Sequence, residues 1–391
     1  MKYNFDKVID RSGTSAEKVE GLKHIWGRTD LIPLWVADMD FATAPFVTDA
    51  IRKRCENEVL GYTGKPDSYY NAIINWVKQR YDLIVTKEVI NFVPGIVPGI
   101  GMAMNCFTQK GDKVMIQPPV YHPFAWVTTR NERTLVINPL KWENGMYRMD
   151  LDAFREQIKG CKLFILCNPH NPGGVVWTEA ELRAIADICY DEKVLVFSDE
   201  IHADLTLPPH THRPFATVSE KARMNSVTFM SPSKAFNMPG LSASHALIFN
   251  EDLRKRFLIY MDAGELDMGH VFAFLSVEAA YSHGTEWLDQ CLAYIQGNID
   301  FVDEFLKKHA PKIKAIRPEA SYLVWLDCRE LELSQKDLNE FFVDKAHLAL
   351  NDGEMFGKEG IGFMRLNVAS PRCIIEKAMK QLADAYQLYI K

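Results

Sequence analysis

The 391-residue chain contains no CxxC pair, no run approaching ~18 consecutive apolar residues, no internal repeat and no long block of one charge. Without CxxC there is no zinc knuckle. The eight cysteines (Cys55, Cys106, Cys161, Cys167, Cys189, Cys291, Cys328 and Cys373) are too scattered for a disulfide framework. Cys161 and Cys167 border the apolar run 163–166 and read as small buried hydrophobes in a reducing compartment. His210 and His212, in Pro-Pro-His-Thr-His-Arg-Pro, lie in a proline-marked loop with no carboxylate or cysteine to complete a ligand set, so no metal is expected. A basic excess is also missing: 45 basic against 51 acidic residues give a net charge of −6. That argues against nucleic-acid and anionic-membrane partners. The opening residues, Met1-Lys2-Tyr3-Asn4-Phe5-Asp6, meet charge before any apolar segment, and a cytoplasmic protein is expected.

What is present suits a large globular core, with 47% hydrophobic and 25% charged residues. At ~150 residues per domain the length suggests two or three domains. The middle of the chain alternates short apolar runs with amphipathic stretches. Residues 162–167 read as a strand ending at Asn168-Pro169-His170-Asn171-Pro172-Gly173-Gly174. Thr178 and Glu181 form a capping-box pair ahead of a helical face, Leu182, Ile185, Ala186 and Cys189. Residues 194–197 are a continuous apolar run, as in a strand buried on both faces, and stop at Ser198-Asp199-Glu200. Further strands are expected at 113–117, 226–230 and 245–249, and a helix starting near Met102. From about Glu286 the pattern changes to long amphipathic helices, a strand at 322–326 and a last helix near 374–389. The reading is an α/β sheet domain over 48–285 with a smaller α+β domain formed by 1–47 and 286–391.

In open α/β sheets, ligands bind outside the carboxyl ends of the strands, where loops converge. Asn171 follows one strand, Asp199 ends the next and Lys234 follows a third, so all three should face one crevice. Lys234 stands beside Ser231 and Ser233, between two apolar runs. A low-dielectric floor there would depress its pKa from ~10.4 and make it a nucleophile or base. For a carbonyl cofactor bound through that lysine, the Asp199 anion would keep the ring nitrogen of pyridoxal phosphate protonated and preserve its electron sink; a helix cap or a surface ion pair is the other reading of Asp199. The segment Pro94-Gly95-Ile96-Val97-Pro98-Gly99 can present N–H groups at a helix start to a phosphate, or be a plain turn. It is neither a P-loop nor a dinucleotide fingerprint.

Together these residues resemble the fold type I pyridoxal-phosphate enzymes, the aspartate aminotransferase superfamily, over nearly the whole chain. Residues 168–174 are similar to the family's Asn-Pro-x-Asn-Pro-Thr/Gly-Gly loop, and Ser231-Pro232-Ser233-Lys234 to its Schiff-base lysine motif. Leu34-Trp35-Val36-Ala37-Asp38-Met39-Asp40-Phe41 and Ser198-Asp199-Glu200-Ile201-His202-Ala203-Asp204-Leu205 resemble the cystathionine β-lyase or carbon-sulfur lyase branch, which includes a maltose-regulon modulator.

The resemblance implies a large domain with a mainly parallel seven-stranded sheet, pyridoxal 5'-phosphate as cofactor, and a homodimer. It makes Lys234 the cofactor-bearing lysine, Asp199 the partner of the pyridine nitrogen and Asn171 a donor to the ring's phenolic oxygen. His202 would reach that oxygen too, or be a satisfied buried histidine. Tyr121 would lie against the ring. The phosphate would take the N–H groups of Ile96 and Val97, the hydroxyls of Ser231 and Ser233, and Tyr62 from the neighbouring subunit. Arg365 would fix an amino acid's α-carboxylate through two parallel hydrogen bonds, or else pair with a surface charge on an edge strand; Val36 and Ala37 would line the same pocket. One departure stands out: where many relatives carry an arginine eight or nine residues after the lysine, this chain has Ser242 and Ala243. The activity implied is β-elimination of cystathionine or a related cysteine S-conjugate. A broad-range aminotransferase and a regulatory binding role are the alternatives.

Overall fold

The computed structural model describes residues 2–389. Seven strands form the large sheet: β1 (Ile90–Val93), β2 (Lys113–Ile116), β3 (Thr134–Ile137), β4 (Cys161–Cys167), β5 (Leu195–Asp199), β6 (Ser226–Met230) and β7 (Ser244–Leu247). Their order is β1-β7-β6-β5-β4-β2-β3, and only β7 runs against its neighbours. Every residue of β5 and β6 is buried, which is why their sequences are continuous runs rather than alternating ones. The register Cys167↔Asp199↔Phe229 brings the carboxyl ends of β4, β5 and β6 level, so the loops that follow emerge side by side.

Among the helices flanking this sheet, two bear on the site: α1 (Ile96–Phe107) and α2 (Glu179–Asp191). α2 begins with the expected capping box, Thr178 Oγ1 accepting from Glu181 N at 3.2 Å and Glu181 Oε2 from Thr178 N at 2.8 Å. α1 begins six residues earlier than expected from the sequence. Pro98 falls in its first turn, where backbone N–H groups have no intrahelical partner to lose, so the proline starts the helix rather than delaying it. Gly99 lets α1 approach the sheet, since an added Cβ would lie 2.9 Å from Val93 Cγ2 and 3.1 Å from Phe229 Cε1.

Downstream, the 25-residue helix α3 (Thr285–His309) and α4 (Arg372–Tyr389) pack on one another and on a four-stranded antiparallel sheet. That sheet comprises β8 (Lys314–Ile316), β9 (Leu323–Asp327), β10 (Asn351–Asp352) and β11 (Phe363–Asn367), in the order β8-β9-β11-β10. Arg365 therefore sits on an interior strand, between β9 and β10, and not on an edge. One continuous apolar cluster joins Trp76 and Phe236 to Trp287, Ile295, Met379 and Leu382, so the two sheets share a core. No helix among the described residues is long and apolar enough to cross a membrane.

Candidate active site

Asn171, Asp199, His202, Ser233, Lys234 and Tyr121 line a single cleft at the carboxyl ends of β4–β6, and the first residues of α1, Ile96 and Val97, close it from one side. Ser231 stands just behind, its Oγ 2.9 Å from Ser233 Oγ and 2.7 Å from the Ala243 carbonyl. Tyr62 lies elsewhere, 97% exposed, beside a surface depression it shares with Met268 and His270.

Lys234 is half-buried, and its Nζ donates to the Ala37 carbonyl at 2.5 Å. Burial pulls its pKa from 10.5 down to about 8, Arg365 pushing the same way while Asp38 and Asp199 oppose. An amine that loses its proton this near neutrality can attack a carbonyl or remove a proton from carbon. Asp199 accepts a hydrogen bond from Ile201 N at 3.1 Å. Burial raises its pKa to about 7, with Glu200 adding to the effect and Lys234 opposing it. It is thus not the permanently fixed anion expected from the sequence, because desolvation outweighs the one backbone hydrogen bond. A cation placed against it restores the ionised form.

Arg365 is 3% exposed, yet everything it touches is neutral: Asn171 Oδ1 at 3.0 Å, Asn351 Oδ1 at 2.5 Å, the Trp35 carbonyl at 3.1 Å and the Phe356 ring 4.8 Å from its guanidinium carbon. Its Nε has no partner among the described residues. Burial lowers its pKa to about 10. A buried cation without a carboxylate is costly, and the arrangement is suited to receiving an anion. With Oδ1 committed to Arg365, Asn171 retains its Nδ2 hydrogens for a ligand. His202 is buried, and its Nδ1 has no hydrogen-bond partner among the described residues.

Val36 and Ala37 contribute main-chain carbonyls here, the former accepting from Asn367 Nδ2 at 2.7 Å, the latter also from Tyr322 OH at 3.0 Å. Three residues to which the sequence reading gave no site role, Asn237, Tyr322 and Asn367, build this wall. Asn367 stands two residues after Arg365 on β11, hence on the same face, a signal that strand periodicity carried.

Residues 29–382 match the family described as aminotransferase class I and II. The chain belongs to that family. It is 38% identical to cystathionine beta-lyase PatB of Bacillus subtilis, the match covering 98% of this chain and 99% of that one. Cystalysin of Treponema denticola, whose structure contains pyridoxal 5'-phosphate, superposes with a TM-score of 0.96 at 33% identity, covering all of both chains. The PLP-bound C-S lyase of Staphylococcus hominis does so with 0.91 at 35% identity over 98% of each chain. This class I and II family member uses pyridoxal phosphate, and its cleft fits that group. The N-terminus of α1 and the Ser233 hydroxyl suit a phosphate, with Ser231 behind it rather than in the cleft as expected, and the buried carboxyl of Asp199 suits a ring nitrogen.

Three buried histidines make this family member sensitive to acid. Burial holds His170, His202 and His245 neutral, with pKa values pushed from 6.5 to about 4, 3 and 3. Each binds a proton less readily folded than unfolded, so its contribution is complete above pH 6.5 and is lost as pH falls towards those values. Asp199 acts oppositely, favouring the fold as pH falls from about 7 to 3.8. At roughly 1.4 kcal/mol per pH unit for each group, these histidines, joined by His122, which burial pushes down to about 4, outnumber Asp199 and Asp204, whose carboxyl burial also raises. The urea midpoint of the cofactor-free chain is therefore expected to drop between pH 6.5 and 5; a midpoint that climbs instead would mean that the two carboxyls dominate.

Proposed function

We propose that this protein is a carbon-sulfur β-lyase that cleaves cystathionine or a related cysteine S-conjugate to a thiol, pyruvate and ammonia. The observation that carries the reading is the buried, uncompensated guanidinium of Arg365 bonded to Asn171, which lines the cleft that holds Lys234. Pyridoxal phosphate, when bound, supplies an aldehyde for amines and a conjugated ring that accepts the electron pair left when the substrate's α-carbon loses its proton. Arg365 takes the α-carboxylate and orients the Cα–H bond. Lys234, with its lowered pKa, takes the proton from Cα. Asp199 would keep a proton on the pyridine nitrogen, Asn171 and His202 would hold the ring's oxygen, and Tyr121 would pack against the ring. Ile96 N, Val97 N and Ser233 would hold the phosphate, with Ser231 supporting Ser233 from behind. Expulsion of thiolate from Cβ, with water then taken up, completes the balance to pyruvate and ammonia.

Kinship supports the lyase outcome over amino transfer, PatB being named a cystathionine beta-lyase and the S. hominis protein a C-S lyase. A homodimer belongs to the same reading, with Tyr62 of the partner subunit reaching the phosphate. The exposed apolar set Val59, Leu60, Tyr62 and Met268 supports an interface there. Eight free thiols suit a reducing cytoplasm. The test is a panel of cystathionine, cystine and djenkolate-like conjugates, scored in parallel for pyruvate and for amino transfer. Pyruvate release without any added 2-oxo acid is expected. Consumption of amino acid only when a 2-oxo acid is present would make the protein an aminotransferase, and a yellow but inert protein would point to a binding role.

A further inference from the structure

Residues 35–41 run beside the cleft as an irregular strap, held by side chains rather than by a sheet ladder and touching Lys234 through the Ala37 carbonyl. Asn367 Nδ2 donates to the carbonyls of Val36 and Asp38 at 2.7 and 2.6 Å. Asn237 accepts from Met39 N at 2.9 Å and donates to the carbonyls of Met39 and Phe41 at 2.9 and 2.7 Å. Two strap carbonyls meet the two site cations, Trp35 O taking Arg365 and Ala37 O taking Lys234. The strap's carboxylates, Asp38 and Asp40, meet a second pair of cations. Lys18, whose side chain is 0% exposed, lies 3.6 Å from Asp38 and 2.8 Å from Asp40. Arg11 reaches Asp38 at 2.6 Å and Asp40 at 3.2 Å. Two cations balance two carboxylates, directly behind the carbonyl that receives the lysine.

We propose that Lys18 and Asp38 are positioning residues for Lys234: the Arg11–Lys18–Asp38–Asp40 cluster pins the strap and sets how tightly the Lys234 amine holds its proton. The inference rests on Lys234 being the amine that carries the cofactor. The groups facing Lys234 are Asp38 from the strap, Asp199 from the end of β5, Arg365 from β11, and the uncharged Tyr121, His202 and Tyr322. Of the two anions, Asp38 exerts the larger pull in favour of the protonated amine. How much of that pull reaches Lys234 depends on the neutralising cations Lys18 and Arg11. Electrostatics therefore demands opposite signs: loss of the Asp38 charge weakens the hold on the proton, while loss of the Lys18 charge strengthens it. Mere loosening of the strap would take the Ala37 carbonyl away in both cases and weaken the hold in both.

The test is acetic anhydride labelling of Lys234 across pH, read by mass spectrometry, in the full cofactor-free chain of wild type, Lys18→Met and Asp38→Asn. The Lys234 midpoint is expected to fall by about one pH unit in Asp38→Asn and to rise by a similar amount in Lys18→Met. Shifts in the same direction, or none, overturn the inference. Should Lys18→Met not fold, Arg11→Met at a site 24% exposed carries the same upward expectation and decides the matter. Borohydride reduction of the wild-type holoenzyme with peptide mapping separates the two readings. Label on a residue other than Lys234 removes the functional reading beneath the inference; label on Lys234 with parallel shifts removes the strap inference alone.

Discussion

Lys234→Ala is expected to abolish both the borohydride-sensitive visible absorption and turnover, the latter by about five powers of ten, as for other enzymes stripped of their covalent nucleophile. The amine is the only group in the cleft that can both join an aldehyde and take a proton from the substrate's α-carbon at neutral pH. Its low pKa, about 8, comes chiefly from burial and would not be reproduced by a water filling the space. The fold should survive the change. The Ala37 carbonyl that Lys234 occupies keeps its second donor, Tyr322 OH at 3.0 Å, so no buried acceptor is orphaned. An amine disfavoured by desolvation is also removed. Absorbance after reconstitution, pyruvate release and thermal unfolding measured together check this. Retention of either the band or the activity in a folded variant would move the chemistry away from residue 234.

Arg365→Met should cost the next most, roughly 3–4 kcal/mol or a factor of about 10²–10³ in kcat/KM for amino-acid substrates, as a two-pronged charged contact to a carboxylate is lost. Because the same interaction also orients the Cα–H bond, kcat should fall as well as KM rise. Part of the effect is structural: Asn171, Asn351 and the Trp35 carbonyl each lose a donor at 2.5–3.1 Å. Arg365→Lys separates the two contributions, since lysine keeps the charge but not the fork. Its KM should lie between those of wild type and Arg365→Met, with the cofactor band unchanged. Equal kcat/KM for all three proteins would show that the carboxylate binds elsewhere.

Much of this site was legible before any folding. Lys234, Asp199 and Asn171 each follow an apolar run, and adjacent parallel strands in register deliver such residues to one edge of a sheet. The start of α1 was misplaced because Pro98 and the glycines around it look like a turn when read along the chain; only the packing of Gly99 against Val93 and Phe229 shows a helix already under way. Lys18 and Arg11 gave no local signal at all. Their partners Asp40 and Asp38 lie 22 and 27 residues away, and a lysine in an amphipathic helix reads as a solvated charge until the fold buries it. Asp199 was visible as a carboxylate but not as one that burial carries towards neutrality, since desolvation is a property of the surroundings.

Composition and motif therefore determined the class of fold, the candidate for the reacting amine and the kind of ligand, because strand period, capping and turn chemistry act over a few residues. Tertiary structure alone decided which carbonyl receives that amine, which charges tune it, and that Arg365 waits on an interior strand with no anion of its own. Those are matters of distance and dielectric, and neither exists until remote segments are brought together.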